Sequence, residues 1–221
     1  MDLRWGPNPG RYWSEVMMKI DFDLWNSIKG FMDEDEAKRL YTISLEASEN
    51  GPILEIGSYC GKSAYIIGSA CKLNEAILFS IDHHKGSEEQ QPGEEYFDSD
   101  LYDYKLSKIN TFPFFQETIA KTSLENTVVP IVASSTTAGK MWSTPVSMLF
   151  IDGGHSFEAA YNDYLTWAFH IKPEGFLVIH DIFLDAEKGG QAPRRVYEIA
   201  IESGDYQELE MTKTLGVLKR K

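Results

Sequence analysis

The segment Ile53-Leu54-Glu55-Ile56-Gly57-Ser58-Tyr59-Cys60-Gly61-Lys62-Ser63 constrains this chain more than any other. A short apolar run carries an acid near its end, two glycines follow with three residues between them, and helix-forming sequence comes next. That order describes a strand, a tight turn and a helix start. Glycine lets a backbone approach a ligand closely, and the first turn of a helix offers free N–H groups, so such turns hold nucleotide-like ligands. A dinucleotide fingerprint, GxGxxG, is not met, because Ser58 follows Gly57 and Cys60 precedes Gly61. A phosphate-cradling loop, GxxxxGK[ST], is nearly met by Gly57, Gly61, Lys62 and Ser63 but is one residue short. A kinase or NTPase therefore stands as an alternative, with Leu149-Phe150-Ile151-Asp152 imitating a magnesium-binding strand end.

From Ile53 onward, strands and helices alternate. Short apolar runs rich in branched residues predict strands at Ile53–Ile56, Ile77–Ile81, Val128–Ala133, Val146–Ile151 and Phe176–Ile179. A helix is expected over Phe157 to Phe169, capped by Ser156, with Phe157, Tyr161, Leu165 and Ala168 on one face. Lys172-Pro173-Glu174-Gly175 turns into the next strand. A helix from near Pro193 stops at Ser203-Gly204, and Tyr206–Met211 and Leu215–Lys219 read as closing strands. The first fifty residues read as helices, with Asp33-Glu34-Asp35-Glu36 at a helix start, where the dipole favours acids. The alternation implies a doubly wound α/β sheet. Residues 84–110 break it: they are polar and acidic, and a lid or substrate loop is expected there.

At 221 residues the chain is one domain, or one domain with an extension. A net charge of -13 argues against nucleic acid, whose phosphates need a basic surface, and against anionic membranes. A small-molecule substrate is the better expectation. No run is long enough to span a membrane, and residues 1–20 have no signal-type apolar stretch. Cys60 and Cys71 are too few for a disulfide framework and read as reduced thiols, so a cytoplasmic setting is expected. A homodimer is the expected assembly, as the commonest for soluble enzymes.

Ligands of open α/β sheets bind beyond the carboxyl ends of the strands. Asp82 falls there, where an acid accepts hydrogen bonds from ribose hydroxyls. Asp152 ends the fourth strand, and His180-Asp181 end the fifth. Neighbouring strands would bring these three together as candidate ligands of a divalent metal. Magnesium prefers oxygen alone, whereas manganese, iron or zinc tolerate the imidazole. His83 and His84 follow Asp82 and are candidate substrate contacts. Gln191, in Gly189-Gly190-Gln191-Ala192-Pro193 on the same rim, is a candidate for shaping the acceptor pocket.

Glu55-Ile56-Gly57-Ser58-Tyr59-Cys60-Gly61 resembles the first motif of the class I S-adenosylmethionine (SAM)-dependent methyltransferases, E-h-G-x-x-x-G. The stretch from Leu54 to Ala64 looks especially like the catechol O-methyltransferase branch. Asp152-Gly153-Gly154-His155 and His180-Asp181 are similar to the small-molecule group related to macrolide-sugar and cephalosporin-pathway O-methyltransferases. The resemblance covers residues from about 50 to 221. It implies a Rossmann-like, seven-stranded, mostly parallel sheet with an antiparallel last strand. The chain then divides into an N-terminal helical extension, 1–50, and a SAM-binding domain, 51–221.

The same resemblance implies SAM as cofactor, held by Glu55, Gly57, Ser58, Tyr59, Gly61, Ser63, Asp82, Asp152 and, at the adenine, Ser134 and Ser135. It places a metal at Asp152 and the pair after the fifth strand, where this chain has His180-Asp181 in place of Asp-Asn. Asp152 and His155 are then the catalytic residues. His155 stands where the catechol branch has the lysine that deprotonates the acceptor hydroxyl, and a histidine is a natural base near neutral pH. The implied reaction moves a methyl group to a hydroxyl of a small molecule. A noncatalytic SAM-binding protein is the further alternative.

Overall fold

The structure, a computed structural model, describes residues 20–154 and 156–221, so residues 1–19 and His155 lie outside the described residues. Two helices precede the sheet, α1 (Phe22–Ser27) and α2 (Glu34–Ser48). Then follow β1 (Ile53–Ile56), α3 (Lys62–Leu73), β2 (Leu78–Asp82), β3 (Tyr102–Asp103), β4 (Lys108–Ile109), α4 (Phe112–Lys121) and β5 (Val128–Val132). The remainder is α5 (Ser135–Gly139), β6 (Val146–Ile151), α6 (Phe157–Trp167), β7 (Ile171–Ile179), α7 (Ala192–Glu202), β8 (Tyr206–Glu208) and β9 (Gly216–Arg220).

Seven strands form one sheet in the order β5-β2-β1-β6-β7-β9-β8. The first five in that order run parallel, β9 is antiparallel to β7, and β8 is antiparallel to β9. Successive side chains of a strand point to opposite faces, so each central strand must be apolar throughout. Ile53, Met148, Phe150, Phe176 and Val178 join α2 and α3 in one core. Leu54, Ile56, Leu149, Ile151, Leu177 and Ile179 join α6 and α7 in the other. This is the expected Rossmann-like architecture. No helix among the described residues is long and apolar enough to cross a membrane.

Three local expectations are corrected. The buried face of α6 is Ala160, Asp163 and Trp167 rather than Phe157-Tyr161-Leu165-Ala168. Phe157 and Leu165 are exposed, because the larger Trp167 fills the core and fixes which side of the helix turns inward. β7 begins at Ile171, five residues early. Val146 pairs with Ile171 and Met148 with Phe176, so Lys172-Pro173-Glu174-Gly175 bulges out of the strand instead of preceding it. The 84–110 stretch has structure of its own: short 3₁₀ turns at Glu88–Gln90 and Ser99–Leu101 and the β3–β4 hairpin. Leu101 and Ile109 anchor it on buried Cys60.

The chain order reverses between β1 and β6, β2 and β5 continuing one way and β7 the other. Parallel strands separate at such a point, and a crevice opens beyond their carboxyl ends. The β1–α3 turn and the ends of β2, β6 and β7 all face it.

Candidate active site

A cavity of about 940 Å³ occupies that crevice, within the usual size of a site for a small molecule or cofactor. Gly57, Ser58, Tyr59, Ser63, Asp82, His83, Ser134, Ser135, Asp152 and Asp181 line it. Its roof is the α1–α2 connection, with Lys29, Phe31 and Met32, and the stretch from Gly86 to Tyr96. The two parts of the roof are tied together: Lys29 Nζ reaches Asp98 and Asp100, at the second 3₁₀ turn, at 2.5 and 2.9 Å, and Phe31 packs edge-on against Tyr96.

The floor is built by backbone proximity. Gly57 has φ +88°, and a Cβ there would lie 2.0 Å from the Asp152 carbonyl oxygen. Only glycine lets β1 run this close to β6 and still turn. The next residue, Ser58, is buried, and its Oγ has no hydrogen-bond partner among the described residues. A buried hydroxyl without a partner is costly, and at a cavity wall it marks a place for a polar ligand atom. Asp82 closes the turn from the side: Oδ2 accepts from the Tyr59 N–H at 2.8 Å and Oδ1 from the His84 N–H at 2.7 Å. Each oxygen keeps a lone pair for a ligand hydroxyl.

That carboxylate removes the phosphate-loop alternative. A phosphate would need the N–H groups of this turn, but Tyr59 N–H is bound to an acid and Gly61 N–H to the Ser58 carbonyl. Lys62 is also committed elsewhere. Its ammonium donates to the Ile28 carbonyl at 3.1 Å and sits 4.3 Å from the centre of the Trp25 ring.

Five of the sequence-chosen residues stand behind the cavity rather than on it, His180, beside its carboxylate partners, and four others. Glu55 is fully buried and accepts from Ser63 Oγ and Ser80 Oγ, so it braces the turn from below the sheet. Gly61 is the N-cap of α3 and packs on Thr118 and Phe115. His84 turns inward between Phe112 and Phe115, with Nδ1 2.7 Å from Thr111 Oγ1. His84 has φ +57° and is 3% exposed. Gln191 donates to the Phe183 and Gly189 carbonyls and so shapes the rim loop from within. Ser134 and Ser135 line the cavity and also hold local structure: Ser134 caps α5, and Ser135 Oγ accepts from Trp167 Nε1 at 2.7 Å.

Burial pushes the Glu55 carboxyl up to about 7, against the lowering pull of the two hydroxyls. In the unfolded chain it ionises near 4.5, so between those values the folded chain holds a proton that the unfolded chain has released. The stability this contributes is full below pH 4.5 and is lost as pH rises past about 7. Glu55→Gln should therefore match wild type near pH 4.5 and exceed it at pH 8 by about 2–3 kcal/mol. Denaturant unfolding at both pH values measures this; parallel pH profiles for the two proteins would refute the buried protonated acid.

The ends of β6 and β7 bring Asp152, His180 and Asp181 together, with one ligand atom of each within 4.8 Å of the others. His180 Nδ1 lies 3.1 Å from Asp152 Oδ1 and 3.5 Å from Asp181 Oδ1. Adjacent ligands about 2.1 Å from one ion are about 3 Å apart, so these residues fit a divalent cation. The other ring nitrogen, Nε2, is 3.0 Å from Glu36 Oε2. Burial lowers the His180 pKa, but Asp152, Asp181 and Glu36 together raise it well above 6.5. Burial also pushes the Glu36 carboxyl up, and hydrogen bonds from His180 and Thr214 outweigh it, leaving a pKa of about 2. Without an ion the ring is an imidazolium between carboxylates; for an ion to bind at Nδ1, that proton must leave.

Sequence reasoning missed Glu36, Lys29, Phe31 and Asp163. Asp163 is buried at the cavity wall, its carboxyl raised to about 6 by burial against the pull of Ser135. An acid on the inward face of α6 is the signal that could have found it. His155, the candidate base, lies outside the described residues.

The geometry agrees with known proteins. Residues 54–182 match the family model described as a methyltransferase domain. Among solved structures, a putative caffeoyl-CoA O-methyltransferase from Staphylococcus aureus is 14% identical with TM-score 0.63, covering 93% of this chain and 92% of that one. The O-methyltransferase TomG from Streptomyces achromogenes, solved with SAM, is 15% identical with TM-score 0.57, covering 99% and 92%. An O-methyltransferase from Bacillus cereus, solved with S-adenosylhomocysteine (SAH), is 12% identical with TM-score 0.59, covering 99% and 94%. At these identities the likeness is one of fold. The family model spans more than half of the chain, and the chain belongs to the methyltransferase-domain family.

Proposed function

We propose that this methyltransferase uses SAM to methylate a hydroxyl of a small molecule, with a divalent metal assisting. The observation that carries the reading is the floor of the cavity: the Gly57 cradle, the unpartnered Ser58 hydroxyl and the Asp82 carboxylate. Gly57 lets the backbone meet the amino-acid end of the cofactor, Ser58 and Tyr59 offer polar contacts, and Asp82 accepts from the ribose. Ser134 and Ser135 stand where the adenine would lie, and the carboxylates of Asp82, Asp152 and Asp181 favour a sulfonium cation. The SAH and SAM bound in the Bacillus cereus protein and TomG support the same cofactor here. SAM supplies an activated methyl on its sulfonium.

On the acceptor side, His83, Phe183, Lys188 and Gly189 line the cavity mouth beside Asp152 and Asp181. Asp152, His180 and Asp181 would hold the metal, which when bound makes an acceptor hydroxyl more acidic. His155, three residues after Asp152, takes the hydroxyl proton. The roof excludes water and holds the acceptor oxygen in line. The helical extension, 1–50, belongs to this reading, with its Lys29, Phe31 and Met32 in that roof, as do a homodimer and a cytoplasmic setting.

His155→Ala should keep SAH affinity and lose about 10²–10⁴-fold in turnover, the usual contribution of a positioned base. Radiolabelled methyl transfer from SAM to a library of sugars, phenols and polyketides provides the assay. Unchanged turnover in His155→Ala would remove the base assignment, and SAH binding with no acceptor turned over would favour the noncatalytic reading.

A further inference from the structure

Glu36 lies outside the segment that matches the family model, yet it ends inside the site. It is 3% exposed and 144 residues from its partner His180. As the third residue of α2 it completes a capping box, Oε2 accepting from the Asp33 N–H at 3.1 Å. That task needs one oxygen and no burial. Here both oxygens are used twice. Oε2 also faces His180 Nε2 at 3.0 Å, and Oε1 accepts from the Thr214 N–H at 2.8 Å and Oγ1 at 2.7 Å. A buried carboxylate is tolerated only when its lone pairs are filled, and these four donors fill them.

The four donors also fix the direction of the carboxylate. The Asp33 and Thr214 N–H groups belong to the backbone and cannot turn away. Glu36 is thereby an acceptor of set position against Nε2, and the imidazole must carry a proton there. Nδ1, which faces Asp152 and Asp181, is then the nitrogen that gives up its proton to a cation. A carboxylate behind a ligating histidine fixes its tautomer and raises its basicity.

We infer that Glu36 is a positioning residue that fixes the His180 tautomer and holds Nδ1 toward a divalent cation shared with Asp152 and Asp181. This rests on the metal-assisted reading above. It places a determinant of metal affinity in the N-terminal helices. In Glu36→Gln a neutral amide turns its NH₂ either toward the Thr214 N–H or toward both the Asp33 N–H and the imidazole, and the ring loses its charged partner in both orientations.

The test is Mn²⁺ binding by the full chain, measured by electron paramagnetic resonance, with nitrogen couplings to the bound ion read by pulsed methods. Wild type should bind Mn²⁺ with an imidazole nitrogen coupling. Glu36→Gln should bind it about 10–100-fold more weakly, with that coupling reduced or lost and SAH still bound. Thr214→Val, which removes one donor and keeps the charge, should weaken Mn²⁺ less; it carries the test should Glu36→Gln fail to fold. Wild-type affinity and coupling in the folded variants would overturn the inference alone. Mn²⁺ bound by wild type without a nitrogen coupling would also overturn it while leaving a carboxylate metal site. No Mn²⁺ binding by wild type would overturn both.

Discussion

Gly57→Val should abolish detectable SAH binding. The new Cβ would lie 2.0 Å from the Asp152 carbonyl oxygen, 2.5 Å from its carbon and 2.9 Å from the Gly153 Cα. None of these atoms belongs to a flexible side chain, so the end of β6 must move, and the Asp152 carboxylate moves with it. The φ of +88° adds strain for any side chain, about 1–3 kcal/mol, and the steric displacement costs about as much again. Gly204→Val separates the two causes: Gly204 has φ +80° but, among the described residues, nothing within 4 Å of a Cβ. It should lose stability by the strain alone and bind SAH as wild type does. Thermal unfolding and calorimetric titration of both variants check this; a Gly57→Val protein that binds SAH with wild-type affinity would contradict the cradle.

Asp82→Ala should weaken SAH by about 10²–10⁴-fold, the loss of two hydrogen bonds to a charged acceptor. Its carboxylate works twice. It orders the turn by accepting from the Tyr59 and His84 N–H groups, and in the proposed function it also accepts from ribose hydroxyls. Tyr59 has φ +45°, a conformation held in place by the bond it makes. Asp82→Asn is no mild substitution, because its amide must turn NH₂ against one of two backbone donors; it should fall between alanine and wild type. Titration with SAH measures the series, and equal affinity for all three proteins would contradict the role.

The legible parts of this chain are those where local sequence decides. β1 and β6 begin and end where the apolar runs do, because central parallel strands are buried on both faces. The positions of Asp82, Asp152, His180 and Asp181 were readable because a polar residue directly after such a run sits at the carboxyl end of its strand. The β7 start was not, since Pro173 and Gly175 read locally as a turn, and only pairing with β6 shows a bulge. Nor was the inward face of α6, decided by Trp167 against the core rather than by spacing. His84 and Gln191 look like rim residues from their positions, but His84 packs between Phe112 and Phe115 and Gln191 spends its amide on the Phe183 and Gly189 carbonyls. Glu36 was hidden most deeply: four acids at a helix start explain themselves, and nothing local names a histidine 144 residues away.

The proposed function requires the crevice beyond β1, β2 and β6 to be a SAM site and not a phosphate site. Calorimetric titration of chelator-treated protein with SAH, with ATP in parallel, tests it directly. Micromolar SAH binding with no ATP binding is the expected result. Binding of ATP and not SAH, lost in Lys62→Ala, would contradict the account.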